Sequence, residues 1–100
     1  ITRAGWGADE SARGSATYDS DFRATCVHHT AGANNYSQAE SAGIVRGIYK
    51  YHTVTRGWKD IGYNALVDKY GNIYEGRYGG LTKNVQGAHA GGFNSGTFGI

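Results

Sequence analysis

The first element that the pattern of hydrophobic and polar positions predicts is a strand. The stretch FRATCVHHT, from Phe22 to Thr30, contains the β-branched residues Thr25, Val27 and Thr30 and is followed by a glycine- and asparagine-rich segment. Because successive side chains of a strand point to opposite faces, Cys26 and His28 are predicted to share one face. His29 is predicted to lie on the other face, so the two neighbouring histidines point in opposite directions.

A helix is predicted to follow this strand. Ser37 and Glu40 have the spacing of a capping box, in which two side chains satisfy free backbone donors at a helix start. Apolar residues then recur at steps of three and four, which is typical of an amphipathic helix. These residues are Ala42, Val45, Ile48, Tyr49 and His52. We expect the helix to end near Thr53.

Two glycines, Gly43 and Gly47, lie within the predicted helix. Each weakens a helix by roughly 1 kcal/mol relative to alanine. We therefore expect them to be tolerated because the helix packs closely against a sheet there.

A hairpin is the clearest pattern in the second half of the chain. The stretches Tyr63 to Asp68 and Ile73 to Arg77 flank Lys69 to Asn72, a turn-type sequence with a glycine. Another strand begins at Thr97 to Ile100, after a long glycine-rich connection. This order of elements predicts an α/β fold in a single domain, with a mixed central β-sheet flanked by helices.

The two ends of the chain are less regular. Residues 1–21 show no period, and Trp6 is expected to pin this segment to the core. The last predicted strand has only begun at Ile100, and domains rarely end inside a strand. We therefore expect residues 1–100 to be part of a longer domain.

Composition narrows the function classes. A chain of 100 residues with 39% hydrophobic content suits one domain with a thin core. The net charge of +2 is spread along the chain, which gives no support for nucleic-acid binding. No apolar run approaches the roughly 18 residues of a membrane span. Seventeen glycines and eight tyrosines are compatible with a groove that binds sugars or peptides, although aromatic-rich loops are more often simply packed.

Candidate metal ligands are few. A catalytic zinc usually has three protein ligands, and the four histidines show no His-Glu-x-x-His spacing. Either His28 or His29 could bind a metal, but a strand histidine is more often packed or hydrogen-bonded. Cys26 shares the predicted face of His28 and is either a second ligand or a small buried hydrophobe. As the only cysteine, it forms no internal disulfide.

Two loop segments could carry a binding site. YHTVTRGWKDIGY, residues 51–63, gathers His52, Trp58, Asp60 and Tyr63 between a helix and a strand. VQGAHAGGFN, residues 85–94, places His89 among glycines that bring the backbone close to a ligand or a neighbouring strand. For both segments a functional and a purely structural interpretation remain open.

The order of these motifs resembles a known family. WGA near the start, VHHTAG, YHTVTRGWKDIGYNALVDKYGNIYEGR and VQGAHAGGFNSGTFGI together resemble the peptidoglycan recognition proteins and their zinc-dependent N-acetylmuramoyl-L-alanine amidases. The similarity covers essentially the whole chain and is strongest to the secreted bacterial members. The resemblance implies that residues 1–100 are the N-terminal two-thirds of a peptidoglycan recognition domain.

The resemblance also implies roles for individual residues. His28 matches the first zinc ligand of the family, and Tyr63 matches the catalytic tyrosine beside the metal. Residues matching the substrate groove are His52, Trp58, His89 and, less securely, Asn94. The remaining zinc ligands are expected downstream of Ile100, which argues against Cys26 as a ligand.

The implied activity is hydrolysis of the amide bond between N-acetylmuramic acid and L-alanine by zinc-activated water. The alternative is a recognition module that binds peptidoglycan without cleaving it. The implied protein is secreted or associated with the cell wall, and it is a monomer with peptidoglycan or a muramyl peptide as its partner. With one expected zinc ligand, the 100-residue chain alone is expected to be inactive.

Overall fold

Two α-helices and four short strands form the fold, in a computed structural model that describes all of residues 1–100. The helices are α1 (Arg3–Trp6) and α2 (Ser41–Lys50). The strands are β1 (Ala24–Cys26), β2 (Ala65–Val67), β3 (Ile73–Glu75) and β4 (Thr97–Gly99). Two 3-10 turns (Glu10–Ala12 and Gln38–Glu40) and a π-helical turn (Tyr51–Thr55) complete the regular structure. Neither α-helix has the length and apolar character needed to cross a membrane.

The start of α2 follows the predicted capping box. The backbone N–H of Ser37 donates to Glu40 Oε1 over 2.8 Å, and the 3-10 turn between them leads directly into the helix. Val45 and Tyr49 are buried on the predicted apolar face, which confirms the helix and its orientation. The α-helical pattern ends at Lys50 rather than near Thr53, because a π-helical turn takes over there.

The expected close packing of the two helix glycines is wrong. A Cβ on Gly43 would meet only the guanidinium tip of Arg46, at 3.4 Å, and a Cβ on Gly47 would meet nothing within 4 Å. Both positions therefore leave open space beside α2. The presence of glycine at these two positions is therefore not explained by contact with a neighbouring strand.

The strands form two small sheets that differ in direction. In the first sheet, β1 runs parallel to β4, with Cys26 opposite Gly99. In the second, β2 and β3 form the predicted antiparallel hairpin, and Gly71 in its turn has a φ of 85° that favours glycine. Asn64 joins the two sheets, because its N–H donates to Gly99 O and its side-chain oxygen accepts from Gly99 N–H.

The α/β class and the single domain are confirmed, while the first strand is shorter than predicted. β1 covers only Ala24–Cys26 of the predicted stretch from Phe22 to Thr30. β4 is equally short, so the parallel ladder has only three paired positions. The predicted mixture of strand directions is present as one parallel ladder and one antiparallel ladder, which Asn64 links.

The core contains six buried apolar residues, Trp6, Val45, Tyr49, Ile61, Leu66 and Tyr74. Trp6 is completely buried and its indole N–H donates to Glu75 O over 2.7 Å, so the N-terminal segment is pinned as predicted. Beside it, Arg3 Nη1 donates to Asp60 Oδ1 over 2.9 Å, and both side chains are only 4% exposed. The N-terminal segment is thus attached to the hairpin by a hydrogen bond from Trp6 and to Asp60 by a buried ion pair.

Candidate functional site

His28 lies where the parallel ladder continues past the end of β1. Its N–H donates to Ile100 O over 2.8 Å, and Ile100 N–H donates to Cys26 O over 2.9 Å. This pairing keeps His28 in an extended register two residues after Cys26, which places both side chains on the same face. The His28 side chain is exposed to solvent at this point.

His89 is held against His28 by the glycine-rich loop. His89 Nδ1 lies 3.0 Å from His28 Nε2, within hydrogen-bond distance. The side-chain oxygen of Asn94 accepts from the N–H groups of His89 and Ala90, each over 2.8 Å, and so fixes the loop. Burial, and then the charge of His28, lower the pKa of His89, which favours a neutral imidazole.

The π-helical turn after α2 positions His52. Its Nδ1 accepts from the N–H of Gly62 over 2.9 Å, so the neutral ring carries its proton on Nε2. Burial lowers the pKa of His52, and the nearby charges of Arg56 and Arg77 lower it further. The ring of Trp58 packs on His52 with 4.5 Å between centroids.

Tyr63 connects the two histidine environments. Its ring centroid lies 6.2 Å from that of His28 and 5.9 Å from that of His52. Burial raises the pKa of the Tyr63 phenol, so the hydroxyl keeps its proton at neutral pH. We call the five rings that follow one another in this way the aromatic row; they belong to Trp58, His52, Tyr63, His28 and His89.

A groove of about 490 Å³ opens beside the aromatic row. His28 and Tyr63 lie on its wall, together with apolar side chains of α2 and β2 such as Ile44, Ile48 and Val67. The groove thus combines an apolar floor with imidazole and phenol groups. Such a combination suits a ligand with both apolar and hydrogen-bonding parts.

The structure brings most of the residues singled out in the sequence into one place. The rings of His28, His52, Trp58, Tyr63 and His89 all belong to the aromatic row. Asn94 lies next to them, but its carboxamide oxygen is already engaged by the loop backbone. Asp60 does not belong to the aromatic row. Its carboxylate accepts hydrogen bonds from Arg3 and from the N–H of Tyr78, and so stabilises the fold.

Sequence reasoning missed two features of the site. Arg77 is buried, its Nε donates to Ile61 O over 2.8 Å, and its charge lowers the pKa of both His52 and His89. Cys26, His28 and His89 bring one sulfur and two imidazole nitrogens, atoms of the type that bind metals, within 4.8 Å of one another. The strand pattern places Cys26 beside His28, but no local signal places His89 there, because 61 residues separate the two histidines.

Fold and site together define an α/β domain with a groove of aromatic rings around a histidine pair. No model of a protein family matches the chain. Peptidoglycan-recognition protein SC2 of Drosophila simulans is 40% identical over 102 residues, a match that covers 100% of this chain and 52% of that protein. Peptidoglycan recognition protein 1 of Bos indicus is 36% identical over 91 residues, covering 91% of this chain and 45% of that relative.

Solved structures agree with these relatives. The structure of bumblebee PGRP-SA matches with a TM-score of 0.86 and 35% identity, over 100% of this chain and 57% of that one. A complex of tracheal cytotoxin with the ectodomains of peptidoglycan recognition proteins LCa and LCx matches with a TM-score of 0.87 and 32% identity, over 100% of this chain and 58% of that one.

The chain therefore belongs to the peptidoglycan recognition protein family, which confirms the resemblance seen in the motifs. It spans about half the length of the curated relatives it matches. These two relatives come from Drosophila simulans and Bos indicus, and PGRP-SA comes from a bumblebee. A stronger similarity to bacterial members stays a prediction.

Proposed function

We propose that this chain is the N-terminal part of a domain that binds the muramyl peptide of peptidoglycan. We further propose that the whole protein is a zinc-dependent N-acetylmuramoyl-L-alanine amidase located outside the cell. The observation that carries the binding proposal is the aromatic row beside an apolar groove. The complex of tracheal cytotoxin with two recognition proteins of the same fold supports it.

Different parts of the aromatic row suit different parts of the ligand. Trp58 and His52 provide flat ring surface of the kind that packs against a sugar or a peptide. His89 and its loop, fixed by Asn94, form the opposite end. Tyr63 and His28 lie between them, where the bond joining sugar and peptide would be placed.

The residues present fit a zinc ion at His28. Its exposed imidazole lies beside a second imidazole and a thiol, a donor set that zinc accepts. A bound zinc supplies Lewis-acid polarisation of the scissile carbonyl and activation of water as a nucleophile. By the family resemblance, the remaining ligands of the amidase belong to the whole protein beyond Ile100.

Tyr63 is proposed as the catalytic hydrogen-bond donor. Its raised pKa keeps the phenol protonated, and its position beside His28 lets it donate to the oxyanion of the tetrahedral intermediate. One such donor contributes about 3 kcal/mol to transition-state stabilisation. The Tyr63→Phe variant of the whole protein should therefore lose roughly 100-fold or more in kcat while keeping its fold.

Ligand binding is tested by isothermal titration of the chain with a muramyl peptide. Removing the ring in Trp58→Ala should weaken binding by at least about 2 kcal/mol, or roughly 30-fold in Kd. Tyr70→Ala is the matched control, because Tyr70 is an exposed aromatic residue of the hairpin turn outside the aromatic row. Equal affinity in the parent chain and Trp58→Ala would contradict the assignment.

A second candidate is a recognition module that binds peptidoglycan without cleaving it. Trp58 and His52 favour it, because their ring contact needs no metal. Release of stem peptide from muropeptides by the whole protein decides between the two. Cleavage that is lost in His28→Ala supports the amidase, whereas binding unaffected by a chelator and without cleavage supports the recognition module.

A further inference from the structure

We propose that residues 31–36 form a strap that opens and closes along the groove, and that a latch on the hairpin turn holds it closed. The strap lies between β1 and the 3-10 turn that precedes α2. The groove is lined by the strap and by the turn that faces it, through Gly32, Ala33, Asn34, Tyr36 and Lys69. Movement of the strap therefore changes the width of the groove.

The latch consists of three hydrogen bonds between the strap and the hairpin turn. Lys69 Nζ donates to Asn34 O over 2.7 Å, and the N–H of Lys69 donates to the Tyr36 hydroxyl over 3.0 Å. The Tyr70 hydroxyl donates to Tyr36 O over 2.8 Å. The Lys69 ammonium also lies 4.7 and 5.4 Å from the ring centroids of Tyr36 and Tyr70, where an aromatic ring attracts a cation. Lys69 is therefore the centre of the latch.

Little else holds the strap in place. Residues 31–35 are exposed, and no residue of the strap belongs to the apolar core. Apart from the latch, its backbone groups form no hydrogen bond with the rest of the chain. Segments with few buried contacts and exposed hydrogen bonds open at a low cost in free energy. Breaking the latch is therefore sufficient to release the strap.

The N-terminal end of the strap provides a hinge. Ala31 has a φ of 61° and is the only residue other than glycine with a positive φ. This conformation is uncommon for a residue that carries a side chain. The next residue is Gly32, where an added Cβ would meet only the Thr30 hydroxyl, at 3.7 Å. Backbone strain at Ala31 and open space at Gly32 both favour rotation of the strap about this point.

A hinge at one end and a latch at the other make the strap a gate for the groove. The latch forms again after a ligand has entered, so it affects the rates of entry and exit equally and leaves Kd unchanged. Tyr70→Ala therefore remains a control for affinity. The strap is independent of the proposed function, and only the choice of muramyl dipeptide as the ligand rests on it.

Hydrogen exchange of the Lys69 amide, followed by NMR, measures latch opening because the acceptor of this amide belongs to the strap. Lys69→Met keeps the amide but removes the ammonium, and should speed its exchange by about 3- to 10-fold after correction for intrinsic rates. The Tyr70 amide is the internal control, since it donates to Asp68 within the turn and should exchange as before. Lys83→Met, at another exposed lysine, is the matched variant and should behave like the parent chain.

Two further variants test the latch and the hinge separately. Tyr36→Phe keeps the ring but removes the hydroxyl that accepts from the Lys69 N–H, so this amide should lose its protection. Ala31→Val places a β-branched side chain at a positive φ and should release the strap with every latch residue intact. A circular dichroism spectrum like that of the parent chain shows that each variant keeps the fold.

Stopped-flow mixing with muramyl dipeptide, followed by tryptophan fluorescence, tests the gate. Trp58 reports binding because its ring belongs to the aromatic row, whereas Trp6 is buried in the core. In Lys69→Met the association and dissociation rate constants should both rise by about 3- to 10-fold, with Kd unchanged. Both rate constants should stay at the parent values in Lys83→Met.

Three results would overturn the proposal. The first is unchanged exchange of the residue 69 amide in Lys69→Met, and the second is equal acceleration at the Tyr70 amide, which would show that the whole turn opens. The third is faster exchange with unchanged ligand rates. Failure of the proposed function gives a different result, because a parent chain that shows the predicted exchange but binds no muramyl dipeptide would support the strap and contradict peptidoglycan binding.

Discussion

Asp68 illustrates how one side chain organises a turn. Its Oδ1 accepts from the N–H groups of Tyr70 and Asn72, and its Oδ2 accepts from the Asn72 side chain and the Tyr74 hydroxyl, each over 2.9 Å. Burial by itself would raise the pKa of Asp68, but the hydrogen bonds from Asn72 and Tyr74 outweigh it and hold the pKa well below its usual range. The charged form is therefore favoured by folding.

The pH dependence of stability follows from this lowered pKa. Asp68 contributes stability above its unfolded pKa of about 3.9, and the contribution is lost as the pH falls towards the lower folded value. We expect Asp68→Asn to be less stable than the parent at pH 7 and to lose less stability on acidification. Urea unfolding at neutral pH and below about pH 4 measures both effects. An unchanged acid dependence in Asp68→Asn would contradict this explanation.

At the scale of elements, α2 and the turn after it connect the core to the site. The apolar face of α2 buries Val45 and Tyr49, and the π-helical turn then presents His52 to Trp58 and Tyr63. Periodicity predicts the helix well, because the apolar spacing is local. Within the π-helical turn, His52 Nδ1 accepts from the N–H of Gly62, a contact that the apolar spacing of α2 does not encode.

Gly47 offers a test of α2. Its backbone is helical, the residue is exposed, and an added Cβ meets nothing within 4 Å. Gly47→Ala should therefore raise the free energy of unfolding by roughly 0.5 to 1 kcal/mol, through helix propensity alone. Thermal or urea unfolding measures this change. Gly76→Ala is the contrasting variant, because its Cβ would collide with the backbone oxygen of Tyr63, and it should be strongly destabilised.

At the scale of the whole molecule, buried polar contacts hold the N-terminal segment on the hairpin. Arg3 Nη1 binds both Asp60 and the backbone oxygen of Gly76, at 2.9 and 2.6 Å. The backbone N–H of Arg3 donates to Glu75 Oε1 over 3.0 Å. Long-range polar contacts therefore supplement a thin apolar core.

Removing one partner of the buried ion pair tests this arrangement. Asp60→Ala leaves the Arg3 guanidinium buried without its carboxylate and should reduce the free energy of unfolding by about 3 to 5 kcal/mol. Arg13→Gln is the control, since Arg13 and Glu10 form a more exposed pair over 3.4 Å and contribute at most about 1 kcal/mol. Similar losses in the two variants would show that burial of the Arg3–Asp60 pair is not decisive.

The sequence by itself determined the elements whose signals are local. The capping box at Ser37, the apolar face of α2 and the glycine turn of the hairpin are each encoded within a few residues. The motif order also indicated the family. Alternation placed Cys26 and His28 together because a strand repeats every two residues.

Only the tertiary structure decided the contacts between distant segments. The pairing of β1 with β4 and the loop fixed by Asn94 together bring His89 to His28 across 61 residues. Folding of the N-terminal segment brings Arg3 to Asp60 across 57 residues. Such contacts depend on how separate elements pack, since no local spacing constrains residues so far apart in the chain. The contact between His28 and His89 and the buried ion pair are therefore properties of the folded chain.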